Sequence, residues 1–260
     1  ARKGSMVDVP QELLAELNTL EQQFAVSGEQ LIKISEHFAE ELGKGLSKEG
    51  GNIPMIPSWV VEYPTGKESG DFLAIDLGGT NLRVVLIKLG GDRTFDSTQS
   101  KYKLPEEMRT TQKPEELFAF IAESLKNFVD EQFPKGVDKP LPLGFTFSFP
   151  ASQKKINSGV LQRWTKGFDI PNVEGHDVVP MLKAEIEKRN IPIDVVALIN
   201  DTTGTLVASL YTDGDTKMGV IFGTGVNGAY YDVVKDIPKL EGKLASDIPG
   251  ESVMAINCEY

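Results

Sequence analysis

The chain has 260 residues, 40% of them hydrophobic and 25% charged, so it is long enough for one large core or two smaller ones and falls among ordinary globular proteins. Its formal net charge of −11, from 38 acidic against 27 basic residues, argues against nucleic acid or an anionic membrane surface as the main partner. The single cysteine, Cys258, excludes an internal disulfide framework, no CxxC or HExxH spacing offers a zinc site, and no apolar run is long enough to span a bilayer; with no secretory hydrophobic region after Ala1-Arg2-Lys3-Gly4, a cytoplasmic location is expected.

Pro10 sits where a first helical residue would, and Leu13, Leu17, Leu20 and Phe24 follow at spacings of three and four, which predicts an amphipathic helix. Ser27 and Gln30 have capping-box form, and Leu31, Ile34, Phe38 and Leu42 carry a second helical stripe up to Gly43 and Gly45. The stretch 50–70, with Pro54, Pro57 and Pro64, reads as an irregular crossing, with a domain boundary near Lys67. Phe72 to Asp76 and Leu82 to Leu89 read as two strands of a hairpin across Gly78-Gly79. Pro114 opens another helix, whose Leu117, Ile121, Leu125 and Phe128 share a face, and Leu143, Phe145 and Phe147 then alternate with Gly144, Thr146 and Ser148 as a half-buried strand. A helix from about His176 to Lys188 leads into the apolar run Val195 to Ile199, expected as a central strand buried on both faces. Met218 to Phe222 and Ala229 to Val234 are strand-like and flank a second glycine turn at Gly223. Helices mixed with strands predict an α/β fold, and two similar turns suggest two related lobes.

Three segments hold groups that can do chemistry. In Leu73 to Arg83 a carboxylate, Asp76, closes a strand just before a glycine turn. Glycines let backbone N–H groups approach phosphate oxygens, and Asp76 can hold hydrated Mg²⁺, with Thr80, Asn81 and Arg83 as added donors. The competing reading is a tight hairpin whose glycines supply positive φ. Gly223 to Gly228 matches GxGxxG, but strands on both sides point to a second strand-turn-strand phosphate loop rather than a dinucleotide fingerprint. Between the turns, Val195 to Thr205 delivers Asn200 and Asp201 at the C-terminal end of a strand, the edge where α/β sheets bind ligands. Asp201 reads either as a general base for a hydroxyl proton or as an ordinary helix N-cap. Ser148, Thr165, Lys166, Asn227 and Glu259 add hydroxyl, ammonium, amide and carboxylate groups suited to a polyhydroxyl ligand.

Taken together, Leu73 to Arg83, Val196 to Thr205 and Gly219 to Gly228 resemble the phosphate-1, connect-1 and phosphate-2 motifs of the sugar kinase, actin and heat-shock ATPase superfamily. Leu143 to Ser152 and Leu161 to Phe168 look like the sugar-binding signature of eukaryotic hexokinases, which an actin-like or chaperone ATPase would leave unexplained. The likeness extends over essentially the whole chain and is nearest to fungal hexokinases, including the stretch Gly51 to Pro57 and the segment Asn257 to Tyr260.

This resemblance implies an actin-like (ribonuclease H-like) α/β fold with two lobes around a sugar cleft: residues 1–64 packing on the large lobe, 65–198 forming the small lobe, and 199–260 beginning the large one. It implies phosphoryl transfer from ATP to the 6-hydroxyl of glucose and related hexoses, with Asp201 as base and Lys166 offsetting charge. Ser148, Thr165, Lys166, Asn200, Asp201, Asn227 and Glu259 would contact the hexose. Asp76, Leu77, Gly78, Gly79, Thr80, Asn81, Arg83 and Thr224 would serve the ATP phosphates, with Asp76 on Mg²⁺ through water. A homodimer is also implied. The family pattern continues past the position of Tyr260 into a second sugar-contacting Glu, a connect-2 helix and an adenosine segment, so the second lobe is expected to be incomplete here; a noncatalytic glucose-binding or regulatory lobe is the competing expectation.

Overall fold

The structure is a computed structural model that describes residues 10–223, 225–244 and 248–260. Two helices come first, α1 (Gln11–Phe24) and α2 (Gly28–Ser47). Pro10 is the residue before the first turn rather than its first member. At α2 the capping box forms as expected: Gln30 N donates to Ser27 Oγ and Ser27 N to Gln30 Oε1. The stripe Leu13, Leu17, Leu20 and Phe24 of α1 and Leu31 and Ile34 of α2 stay exposed.

After the irregular crossing and the short strand β1 (Ile56–Pro57) come β2 (Ser69–Leu77), β3 (Asn81–Gly90), β4 (Phe95–Lys103), α3 (Pro114–Gln132), β5 (Leu141–Phe147), β6 (Ala151–Ser152), β7 (Val160–Leu161), α4 (Val178–Lys188), β8 (Ile193–Ile199), α5 (Asp201–Thr212), β9 (Met218–Phe222), β10 (Val226–Val233) and β11 (Val253–Asn257). A five-stranded mixed sheet has the order β4-β3-β2-β5-β8: β2, β3 and β4 form an antiparallel meander, and β2, β5 and β8 run parallel. Parallel pairing requires crossovers, which α3 and α4 supply. A four-stranded antiparallel sheet has the order β1-β11-β10-β9, and β6 pairs β7.

The main core lies between the five-stranded sheet and the α3–α4 layer, where Leu73, Ile75, Val84, Phe145 and Phe147 meet Phe118, Ile121, Leu125 and Phe128. A second cluster joins Met55 and Trp59 of the crossing to Ile237, Leu240, Met254 and Ile256. Leu206 and Leu210 of α5 pack on Ala229 and Ala255 of the second sheet.

One expectation is corrected. The run Val195 to Ile199 is an edge strand, not a central one: among the described residues β8 pairs only with β5, and its burial alternates, with Asp194 and Val196 outward. The apolar sequence suggested two covered faces, but an edge position leaves Val196 40% exposed. The helix expected from about His176 to Lys188 spans Val178–Lys188, because the Asp177 carboxylate accepts from Val179 N and caps it there. No sequence pattern marks strand β4; its sequence is polar and mostly exposed, and it is a strand because it pairs with β3 along its whole length.

Candidate functional site

Where β8 ends, the chain turns directly into α5. Asn200 supplies the N-cap, its Oδ1 accepting from Thr202 N at 2.8 Å. Asp201 is therefore the first helical residue and not the cap, although its Oδ1 also accepts from Thr202 N at 2.9 Å. A carboxylate in the first turn of a helix is favoured by the helix dipole. With the cap filled by its neighbour, Asp201 is left on the wall of a cleft.

The opposite wall comes from the second sheet. Asn227 in β10 and Asn257 at the end of β11 flank Glu259, whose backbone is left-handed at φ 60°. Three side-chain amides converge on Glu259 Oε1: Asn257 Nδ2 at 2.8 Å, Asn200 Nδ2 at 3.1 Å and Asn227 Nδ2 at 3.4 Å. Asn227 Oδ1 accepts from Gly228 N and Glu259 N, at 2.7 and 2.9 Å. Burial pushes the Glu259 carboxyl above the ordinary carboxylate value, with the Asp201 charge adding to the shift and the Asn257 hydrogen bond, Lys166 and Arg163 opposing it.

A third wall follows β5. Phe149, Trp164 and Phe168 pack together, with Trp164 and Phe168 stacked at 5.2 Å, and this cluster fixes the loop that carries Thr165 and Lys166. Lys166 adopts φ 56° and is followed by Gly167 at φ 78°. That sharp turn returns its Nζ to donate to the Ser148 carbonyl at 2.8 Å, 5.4 Å from the Phe149 ring centroid. Ser148 Oγ is buried without a hydrogen-bond partner among the described residues. A buried hydroxyl left unpaired beside a cleft is a donor waiting for a ligand or water.

The β2–β3 turn meets this wall at Gly79, where a Cβ would lie 3.5 Å from Lys166 Cβ. Neither Gly78 nor Gly79 has positive φ, so the hairpin reading that assigned them left-handed conformations is not supported. Gly78 is glycine for space, since a Cβ there would meet Asn81 O at 3.3 Å, while its N–H donates to that same oxygen. Asp76 and Arg83 face each other across the β2–β3 ladder and form a partly exposed ion pair at 2.9 Å. The Leu77 side chain is fully buried in the core, so only its backbone is free to act.

The cleft has a volume of about 470 Å³. It brings together all seven residues expected at the hexose, namely Ser148, Thr165, Lys166, Asn200, Asp201, Asn227 and Glu259, with Gly79 at its edge. Asp76, Leu77, Gly78, Thr80, Asn81 and Arg83 do not line it; Gly78 and Thr80 sit on the turn with Gly79, and the other four on the adjoining ends of β2 and β3. Thr224 lies outside the described residues. Arg163 also lines the cleft and Asn257 stands behind Glu259, and the sequence motifs single out neither. Asn257 stands two residues before Glu259, and the end of an apolar strand was the signal available for it. Among the described residues no cluster of three or more metal-ligating side chains occurs, and no helix is long and apolar enough to cross a membrane.

Two family models, both described as Hexokinase, match residues 16–211 and 217–260. Hexokinase-2 of Saccharomyces cerevisiae is 74% identical over 260 residues, covering 100% of this chain and 54% of its own length. The hexokinase of Kluyveromyces lactis is 72% identical, covering 100% of this chain and 53% of its own. The chain thus spans about half the length of the curated relatives it matches. Among solved structures, the hexokinase from Schistosoma mansoni complexed with glucose superposes with a TM-score of 0.83 at 36% identity, over 95% of this chain and 55% of that one.

Proposed function

The chain belongs to the hexokinase family, and on that premise we propose that the natural protein transfers the γ-phosphoryl group of ATP to the 6-hydroxyl of glucose and related hexoses, the opening step of glycolysis. The observation that carries this reading is the convergence of Asp201, Lys166, Ser148, Thr165 and the Asn200–Asn227–Glu259 cluster on one cleft. The relative solved with glucose has the same fold over nearly all of this chain.

In this reading the amides, Ser148, Thr165 and Glu259 bind and orient the sugar hydroxyls, so that the 6-hydroxyl lies against Asp201. Asp201 accepts the hydroxyl proton, and Lys166 offsets charge on the group being transferred. The turn of Gly78, Gly79, Thr80 and Asn81, closed by the Gly78 N–H on Asn81 O, offers its other backbone N–H groups and side-chain donors to the phosphates, Leu77 contributes backbone, and Arg83 and Thr224 complete the set. Asp76 would hold magnesium through water, and the ion would supply positive charge to offset that of the phosphates. Asp76 fits a water-bridged Mg²⁺ because only its Oδ2 is engaged by Arg83, and the ion needs only one or two carboxylates beside phosphate oxygens.

The lobes we infer are residues 65–198 as the small lobe and 199–260 as the start of the large one, with 1–64 packed on the latter. Closure of the lobes would exclude water from ATP. A cytoplasmic enzyme and a homodimer complete the proposal. The carboxylate of Asp201 on the cleft favours an enzyme over a noncatalytic sugar-binding lobe.

The test is a coupled assay for glucose 6-phosphate on the natural full-length protein with MgATP. Product formed in step with ADP supports the proposal; ATP hydrolysis that is indifferent to hexose contradicts it.

A further inference from the structure

The orientation of every amide around Glu259 is dictated by its other bonds. Asn200 Oδ1 is held by Thr202 N, which turns its Nδ2 toward Glu259. Asn227 Oδ1 is held by two backbone N–H groups, which turns its Nδ2 toward Asn257 Oδ1, at 2.8 Å, and toward Glu259. Asn257 Oδ1 is thereby occupied, so its Nδ2 must point to Glu259 Oε1, 2.8 Å away. Asn257 is itself 5% exposed and does not line the cleft with Asn200, Asn227 and Glu259.

All three donors fall on one carboxylate oxygen; among the described residues Oε2 receives none. A carboxylate with one oxygen saturated by protein cannot rotate freely, and its second oxygen is reserved for a ligand. We propose that Asn257 is a positioning residue for the hexose site: it locks the Glu259 carboxylate, ionised and in one orientation, with Oε2 directed to a sugar hydroxyl. The inference rests on the hexokinase reading above.

The left-handed backbone of Glu259 supports it, since a strained, half-buried acid persists only where its surroundings hold it. The groups facing this carboxylate from the packed elements are Asn200 and Asp201 of α5, Asn227 of β10, Asn257 of β11, and Lys166 and Arg163 of the aromatic loop. The Asn257 hydrogen bond is the largest contribution opposing the effect of burial on its titration.

Asn257→Asp is the discriminating variant, because it keeps the oxygen that accepts from Asn227 and replaces only the donor to Glu259 by an acceptor. In the natural full-length protein, KM for glucose is expected to rise about tenfold or more, as for loss of a hydrogen bond to a charged group, while KM for ATP stays put. The acid limb of glucose affinity is expected to move to higher pH, since Glu259 then protonates more readily beside a second carboxylate. Circular dichroism and Tm confirm that the variant is folded. For a variant that does not fold, Asn257→Ser serves instead: its short hydroxyl relieves the charge clash, and the same two shifts are expected. Glucose KM and acid limb matching wild type in a folded variant overturn the inference alone. Absence of hexose-dependent turnover in the wild-type protein overturns the functional reading and the inference with it.

Discussion

Asn200 Nδ2 lies 3.1 Å from Glu259 Oε1, joining the residue that caps α5 to an acid that follows β11 in the other sheet. One side chain thus starts the helix that presents Asp201 and clamps the carboxylate across the cleft from it. Asn200→Ala removes both functions and is expected to lower stability by about 1 kcal/mol through the lost cap. Asn200→Ser keeps a capping oxygen but is too short for Glu259. It should restore most of that stability in a denaturant titration while glucose KM remains raised in both variants. Recovery of glucose KM by Ser would show that the clamp has no functional weight.

The Asp76–Arg83 pair separates stability from nucleotide use. Both side chains are partly exposed, so Asp76→Asn is expected to cost under about 1 kcal/mol. KM for MgATP should nevertheless rise, and the dependence of rate on Mg²⁺ should shift to higher concentration. An unchanged Mg²⁺ titration would remove Asp76 from the phosphate site.

Glu259 trades stability for function. Its carboxyl is raised by burial, so folding disfavours the ionised form; the neutral acid's contribution is present below the unfolded value of about 4.3 and is lost as pH rises through the folded value. Glu259→Gln does not ionise. Its Tm relative to wild type should therefore improve as pH rises above about 4, with glucose binding weakened throughout. A Tm difference that does not change with pH would contradict a destabilising charge at this position.

Gly219 sets how closely β9 approaches α5. A Cβ there would stand 2.7 Å from Leu206 N, a backbone atom that can yield only if the helix moves. Gly219→Ala is expected to destabilise by about 1–3 kcal/mol and, by displacing the helix that carries Asp201, to lower kcat as well. Wild-type Tm and kcat together would show that the helix is not held by this contact.

The sequence was most informative where a periodic pattern met a turn signal. Pro114 and the stripe from Leu117 to Phe128 specify α3, and the two runs around Gly78-Gly79 specify β2 and β3. The run Val195 to Ile199 was read as buried on both faces because hydrophobicity reports apolar character and not the number of neighbouring strands. The polar strand β4 was invisible, because backbone pairing with β3 makes it and no side-chain alternation marks it.

At the site, all seven hexose candidates meet in one cleft, whereas local reading left Asp201 divided between cap and base. Asn200 and Asp201 are adjacent, both suit a cap and both accept from Thr202 N; the extended backbone of Asn200, with the helix starting at Asp201, decides between them. Asn257 carries no such signal, because the amide orientation that turns its Nδ2 onto Glu259 is set by Asn227, 30 residues away.

The most direct measurement of the central claim is kcat and glucose affinity for Asp201→Ala in the natural full-length protein, with glucose 6-phosphate followed in a coupled assay. Loss of a general base should lower kcat by about 10²–10⁴-fold, with glucose still bound within about tenfold of wild type by intrinsic fluorescence. Wild-type turnover by Asp201→Ala would contradict the account.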